Sequence, residues 1–151
     1  MTAPVFVDTN VLVYARDSAA GPRHGQAGRW MQHLWKTQNG RLSVQVLSEF
    51  YVTVTAKLRP GMAAQDARRD VRALLAWRPV PVEGSAIEGA WLLQDRYGLS
   101  WWDALIVSAA QLADCRYLLS EGFQTGQDLG GVLVVNPFAT SPDQLSGSDR
   151  G

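Results

Sequence analysis

The sequence predicts an α/β protein, a three-layer α/β/α sandwich in which helices cover both faces of a parallel sheet. Short apolar runs, typical of buried strands, alternate along the chain with longer segments of helical periodicity. This alternation favours parallel strands that are joined by helices. The chain has 151 residues, enough for one domain with its own core, and it contains neither an internal repeat nor an internal linker.

The individual elements are predicted from local composition and spacing. Four short apolar segments are interpreted as strands, with one brief extended piece besides: residues 4–7, 41–44, 116–119 and 132–135, and the piece 80–82. Apolar residues at helical spacing predict helices over residues 11–15, 22–37, 47–58, 63–77, 85–97 and 102–113. Pro22 suits the start of a helix and Gly98 suits the end of one. We expect one folded domain over residues 1–138 and a disordered tail over residues 139–151.

Composition excludes several classes of protein. Hydrophobic residues make up 46% of the chain and charged residues 19%, as in globular proteins. The single cysteine, Cys115, excludes a disulfide framework and a cysteine-based zinc site, and the two histidines, His24 and His33, are too few for a histidine-rich one. Because no run approaches 18 apolar residues and the N-terminus lacks a basic run, we expect neither a membrane span nor a secretory signal. A reduced, cytoplasmic location follows as the expectation.

The net charge of zero conceals an uneven distribution. Residues 1–78 carry eleven basic and five acidic side chains, a net +6, whereas residues 79–151 carry a net −6. Twelve of the fourteen basic residues are Arg, the side chain best suited to bidentate contact with phosphate. The asymmetry indicates either polyanion binding or only a compositional habit of the genome.

Four acids are predicted to lie at one edge of the sheet. Ligands of open parallel sheets bind outside the carboxyl ends of the strands. Asp8 follows the first strand, Glu49 lies early in the helix after the second, Asp103 begins the helix over residues 102–113, and Glu121 follows the third strand.

Each acid also has a structural explanation. Asp8 could cap a helix N-terminus, and Asp103 fits a capping box with Ser100. Glu121 lies in a turn, where an exposed acid is ordinary. Glu49 could face solvent, although no basic residue three or four positions away offers it a helical salt bridge.

Convergence of the four carboxylates would require neutralisation. At separations of about 5 Å, each pair repels by roughly 3 kcal/mol at an effective dielectric near 20. Six such pairs exceed a domain's whole stability of about 5–15 kcal/mol. Mg²⁺, or Mn²⁺ in its place, suits an all-oxygen site with open positions. Such an ion lowers the pKa of a bound water and polarises a phosphoryl oxygen, so the chemistry that this site favours is metal-assisted hydrolysis of a phosphodiester.

The sequence resembles the PIN-domain ribonucleases, specifically the VapC-type toxins of toxin–antitoxin pairs. Five stretches carry the resemblance in family order between residues 5 and 138: residues 5–14, 46–50, 99–106, 117–121 and 134–138. The resemblance implies an α/β/α fold around a parallel sheet, a Mg²⁺-dependent acidic pocket and cleavage of RNA. It also implies a cognate antitoxin that blocks the site, and a homodimer.

The resemblance further implies roles for individual residues. Asp8 and Asp103 match the principal metal ligands. Glu49 matches the acid that binds a metal-held water or helps to deprotonate the nucleophile. Two polar residues, Asn10 and Ser120, match orienting positions beside the metal.

The fourth acidic position departs from the family pattern. Relatives commonly carry an Asp after the position of Glu121, where this chain has Gly122. Either Glu121 supplies the fourth carboxylate or the site has three acids, and we expect the first.

Two further hypotheses remain open. One is a weakly active module that keeps the fold and binds an antitoxin or RNA. The other is a phosphatase of the haloacid-dehalogenase type with Asp8 as phosphoryl acceptor. That family expects a second Asp two residues later, where this chain has Asn10.

Overall fold

The computed structural model describes residues 3–148 and has a five-stranded sheet at its centre. The strands are β1 (Val5–Val7), β2 (Gly40–Arg41), β3 (Tyr117–Leu119), β4 (Asp128–Leu129) and β5 (Val132–Val135), arranged in the order β2-β1-β3-β5-β4. All neighbouring strands are parallel except β4, which pairs with β5 in the antiparallel sense. The mostly parallel sheet confirms the predicted fold class.

Seven α-helices connect and cover the strands. They are α1 (Thr9–Arg16), α2 (Pro22–Thr37), α3 (Val44–Val52), α4 (Ala64–Leu74), α5 (Gly84–Tyr97), α6 (Trp101–Leu112) and α7 (Pro142–Ser148). A π-helical turn, Thr53–Lys57, extends α3, and short 3-10 turns lie at Ser18–Ala20 and Leu75–Trp77. No helix in the described part of the chain is both long enough and apolar enough to cross a membrane.

Burial explains why the strands are apolar at every position. Phe6 and Val7 of β1 and Leu118 and Leu119 of β3 have no exposed surface, since helices cover the sheet on both sides. The helix ends follow local chemistry. Ser43 and Ser100 cap α3 and α6 through bonds to the backbone three residues ahead, and Gly98 ends α5 in the left-handed conformation.

The predicted strand over residues 41–44 is shorter in the structure and begins one residue earlier. Because the Ser43 hydroxyl caps α3, Val44 is the first residue of that helix rather than the last of a strand. The predicted helix over residues 63–77 is also divided: α4 ends at Leu74, and a 3-10 turn continues to Trp77.

Strand β4 is absent from the sequence prediction. It has two residues and joins β5 through Gly130 and Gly131, both with positive φ angles. Two glycines in this conformation are typical of a tight hairpin. A two-residue strand has too little sequence to show a period, so the Gly-Gly pair was its only available signal.

The structure describes part of the segment predicted as a disordered tail, residues 139–151. Within the described residues, α7 packs on α2, and Leu145 is 6% exposed. The Trp30 indole donates hydrogen bonds to the carbonyls of Pro137 and Thr140. One buried leucine and these bonds hold a segment whose composition resembles a tail; residues 149–151 lie outside the described residues.

Candidate active site

Asp8 lies where β1 meets α1 and is 8% exposed. One carboxylate oxygen accepts the Thr9 N–H at 2.8 Å, and the other accepts the Ser120 hydroxyl at 2.7 Å. Asp8 is therefore the N-cap of α1, as its structural explanation requires, but its second oxygen is bound across the sheet by the residue that follows β3. The local fold thus orients this carboxylate at the carboxyl edge.

Glu49 approaches the same edge from α3. Its Oε2 accepts the Thr9 hydroxyl at 2.8 Å, and its Oε1 accepts the Gln45 side-chain amide at 2.9 Å. Gln45 also donates to the Trp102 carbonyl at 3.4 Å, a longer contact that links α3 to α6. Two donors therefore fix the orientation of a half-buried carboxylate, with no cation involved.

Asp103 completes the set from the first turn of α6. Its backbone N–H donates to the Ser100 hydroxyl at 3.2 Å, which is one half of the predicted capping box. Within residues 3–148, its carboxylate forms no side-chain hydrogen bond or ion pair with another residue. The capping interaction thus uses the backbone of Asp103 and leaves its carboxylate available.

One open cavity of about 540 Å³ brings these three acids together. Asn10 and Gly122 contribute to its wall, and so does a further acid, Asp17, whose side chain accepts the Ala19 N–H at 3.1 Å. None of the described residues that line the cavity is Lys, Arg or His. Among the described residues, the cavity wall is therefore acidic without a compensating cation.

Glu121 lies outside this cavity. Its carboxylate accepts the Arg23 guanidinium at 2.7 Å and the Tyr14 hydroxyl at 3.2 Å, and it lines a separate cavity beside α2. The structure thus does not bring Glu121 together with the other predicted acids. Gly122 lines the acidic cavity instead, where it supplies no carboxylate.

Asn10 and Ser120 hold the backbone beside the acids. The Asn10 amide nitrogen donates to the Ser120 hydroxyl oxygen at 3.3 Å, and the Asn10 amide oxygen accepts the Glu121 N–H at 3.4 Å. The Ser120 oxygen also accepts the Gly122 N–H at 3.0 Å. The orienting positions implied by the resemblance are thus close to Asp8, in contact with it through Ser120.

Burial is the main cause of a raised pKa at Asp8. Loss of solvent disfavours its charge, and the negative charges of Glu49 and Asp103 raise the pKa further. The bonds from Ser120 and Thr9 act in the opposite direction. The charges of Glu49 and Asp103 thus act on Asp8 across the cavity, which is the kind of repulsion that the sequence argument considers.

The acidic side chains are less closely grouped than the sequence argument assumes. Across residues 3–148, no three acidic, histidine or cysteine side chains lie close enough together to hold one metal ion. Mg²⁺ binds proteins through one or two carboxylates and keeps several waters, so it does not need a closed cage. The carboxylates of the wall, the available Asp103 carboxylate among them, and the absence of Lys, Arg or His from the described lining together fit such an ion.

Cys115 is not part of this site. The side chain is buried, and burial raises the pKa of its thiol to about 12. A thiol with that pKa remains protonated near neutral pH and is a poor nucleophile.

The PIN domain profile matches residues 5–123, which contain all four predicted acids. The chain belongs to the PIN domain family. No curated protein matches this PIN domain.

Solved structures show the same fold. This PIN domain is 21% identical to a chain of a toxin–antitoxin complex from Klebsiella pneumoniae, over 88% of this chain and 97% of that one, with a TM-score of 0.57. It is 20% identical to VapC20 of Mycobacterium tuberculosis, described as a sarcin-ricin loop cleaving toxin, over 76% and 86% of the chains, with a TM-score of 0.55. FitAcB from Neisseria gonorrhoeae gives 16% identity, 90% and 99% coverage, and a TM-score of 0.63.

Sequence reasoning missed Thr9, Gln45 and Asp17 at this PIN-domain site. Gln45 lies four positions before Glu49, and that helical spacing between polar residues was a usable signal. Thr9 is 40 residues from Glu49, so only the fold brings them together. Asp17 carried no signal beyond a polar residue after a helix.

Proposed function

We propose that this PIN domain is a divalent-metal-dependent endoribonuclease and the toxin of a toxin–antitoxin pair. The observation that supports this most directly is the shared cavity of Asp8, Glu49 and Asp103, which no lysine, arginine or histidine of the described lining neutralises. Similarity in fold to VapC20 and to the Klebsiella pneumoniae complex supports the toxin assignment.

Asp8 and Asp103 are the residues that we assign to the metal ion. Mg²⁺, or Mn²⁺ in its place, would lower the pKa of a bound water and polarise a phosphoryl oxygen. Thr9 and Ser120 bind one oxygen each of the Asp8 carboxylate, which leaves each oxygen a further acceptor site. The Asp103 carboxylate has no side-chain partner among the described residues, so no such contact has to break before it binds the metal ion.

Glu49 is assigned to the attacking water. Thr9 and Gln45 bind one carboxylate oxygen each, which leaves each oxygen one further acceptor site. Glu49 takes one proton while the water oxygen bonds to phosphorus and the phosphorus bond to the leaving oxygen breaks, and the leaving oxygen takes a proton from solvent. Glu121 has no assigned role in this reaction, because Arg23 and Tyr14 already bind it.

The partners follow from the same proposal. The substrate is RNA, and a cognate antitoxin covers the acidic cavity when the toxin is inactive. We also propose a homodimer and a cytoplasmic location, as the resemblance and the composition imply.

A second candidate is a weakly active module that binds an antitoxin or RNA. One observation favours it: Gly122 stands where the resemblance expects an acid, and Glu121 does not enter the cavity to replace it. The two candidates differ in whether a metal ion binds and whether RNA is cut.

Purified protein incubated with tRNA, ribosomal RNA fragments and messenger RNA, with Mg²⁺ or with EDTA, tests the proposal. We expect new RNA ends with Mg²⁺ only, and none with Asp8→Asn. Identical products with EDTA would exclude the metal mechanism. The absence of cleavage in every RNA, with no thermal shift on adding Mn²⁺, would favour the weakly active module.

A further inference from the structure

We infer that Trp102 is a stacking platform for an unpaired nucleobase next to the phosphodiester in the acidic cavity. The inference rests on the proposed function and specifies its substrate: RNA that presents an unstacked base. Trp102 lines the cavity, directly precedes Asp103 in α6, and is 64% exposed. An indole that the fold leaves uncovered at this position is available to a ligand.

The backbone beneath the indole is held in place. Ser100, two residues before Trp102, caps α6, and the Trp102 carbonyl accepts the Gln45 amide. The same Gln45 side chain binds Glu49. The backbone of Trp102 and the proposed proton acceptor are therefore held by one side chain, which sets the spacing between α6 and Glu49 before substrate arrives.

Charge explains why a neutral contact is needed here. The cavity wall includes Asp17 as well as the three proposed site acids, and it repels a phosphate backbone. Arg16 at the end of α1 and Arg23 at the start of α2 do not line it, and they are paired with Asp70 and Glu121. Stacking on an aromatic ring adds affinity without a protein cation, and it accepts any base.

The structure favours an unpaired base over a base pair. A base within a duplex has both faces covered by its neighbours, so an indole cannot reach either face without the cost of unstacking. Trp91 on α5 provides a matched control, because it is 53% exposed and does not line the cavity.

The test measures binding in a background where cleavage is suppressed. Asp8→Asn protein is titrated in Mg²⁺ against a labelled, unstructured oligoribonucleotide, and against the same sequence as a perfect duplex, with fluorescence anisotropy as the readout. A lost base–aromatic stack corresponds to about 1–3 kcal/mol, roughly 5- to 150-fold in Kd. We expect Trp102→Ala to weaken single-strand binding by this factor, Trp102→Phe to restore most of it, and Trp91→Ala to change it by no more than about twofold.

Three results would overturn the inference. The first is that Trp102→Ala binds the single strand as tightly as Trp91→Ala does. The second is that Trp102→Ala weakens binding of the duplex as much as binding of the single strand. The third is that it alters the oligomeric state, measured by size-exclusion chromatography, while RNA affinity is unchanged. The last result would identify the indole as a protein contact. Metal-dependent RNA cleavage by the wild-type protein separates the two failures: cleavage without a Trp102 effect overturns this inference and leaves the proposed function intact.

Discussion

Asp8 and Glu121 follow two neighbouring parallel strands, β1 and β3, yet their environments are opposite. Asp8 is almost fully buried, binds neutral donors only, and shares a cavity with two other acids. Glu121 binds Arg23 and Tyr14 and lines a different cavity. A place at the carboxyl edge therefore does not by itself make an acid available for a metal ion; the absence of a competing cation does.

The pKa shifts at the two sites show the same contrast. Burial, then the like charges of Glu49 and Asp103, raise the pKa of Asp8. At the other site the hydrogen bond to Glu121 raises the pKa of the Arg23 guanidinium, and burial followed by the Glu121 charge raises the pKa of the Tyr14 hydroxyl. Glu121 thus stabilises a cation, whereas Asp8 pairs with none in the part of the chain that the structure describes.

The largest expected effect separates these two acids directly. Asp8→Asn removes a proposed metal ligand with almost no change in shape, so we expect RNA cleavage to fall by at least roughly 100-fold. Glu121→Gln removes only the charge that pairs with Arg23, so cleavage should change by less than about threefold. Initial rates on one RNA in Mg²⁺ measure both. Equal losses in the two variants would place Glu121 back in the catalytic set.

Sequence reasoning reached the positions of the acids but not their side-chain partners. The apolar runs and the acid after each run depend on local sequence, and Asp8, Glu49 and Asp103 all line one cavity. The pairing of Glu121 with Arg23 joins residues 98 positions apart. No local pattern reports such a contact, so the sequence could not show that this acid was already neutralised.

The second prediction adds a fourth carboxylate to the cavity that Asp8 lines. A Cβ at Gly122 would lie 3.6 Å from the Ser120 hydroxyl oxygen and 3.7 Å from the Asn10 amide nitrogen, ordinary van der Waals contacts. Gly122→Asp therefore fits, and we expect it to tighten Mg²⁺ or Mn²⁺ binding about tenfold, because a further carboxylate beside a divalent ion contributes on the order of 1 kcal/mol even in bulk water. Calorimetric titration with Mn²⁺ measures this.

Gly122→Asn is the matched control for that variant, since it has the same shape without the charge. If Gly122→Asn tightens metal binding as much as Gly122→Asp does, the gain comes from the backbone rather than from a fourth carboxylate. If neither variant binds metal more tightly, the ion does not lie near this turn.

The third prediction concerns the neutral donors that hold Glu49. Thr9→Val removes the hydroxyl that binds Oε2 and nearly preserves the side-chain shape. We expect kcat to fall by a factor of about 5–10, the equivalent of one hydrogen bond of roughly 1–1.5 kcal/mol, with KM nearly unchanged. Thr53→Val is the control, because Thr53 lines the same cavity and its side chain does not bind the Glu49 carboxylate; only its backbone N–H, which the variant keeps, donates to the Glu49 carbonyl. A similar loss of kcat in both variants would mean that the cavity wall, and not the orientation of Glu49, is responsible.

The smallest expected effect is on the stability of the metal-free protein, and its sign follows from burial. Because the pKa of Asp8 is raised above its ordinary value of 3.8, the unfolded chain releases this proton at lower pH than the folded chain does. The contribution of Asp8 to stability is therefore fully present below that value and is lost as the pH rises through the folded-state pKa.

In EDTA, the unfolding free energy of wild type should decline relative to that of Asp8→Asn as the pH increases from about 4 towards neutrality. Urea unfolding across a pH series measures the difference, and Mg²⁺ at neutral pH should restore the wild-type protein only. A difference that stays constant with pH would show that Asp8 is not strained by its burial, and that the acidic cavity is stable without an ion.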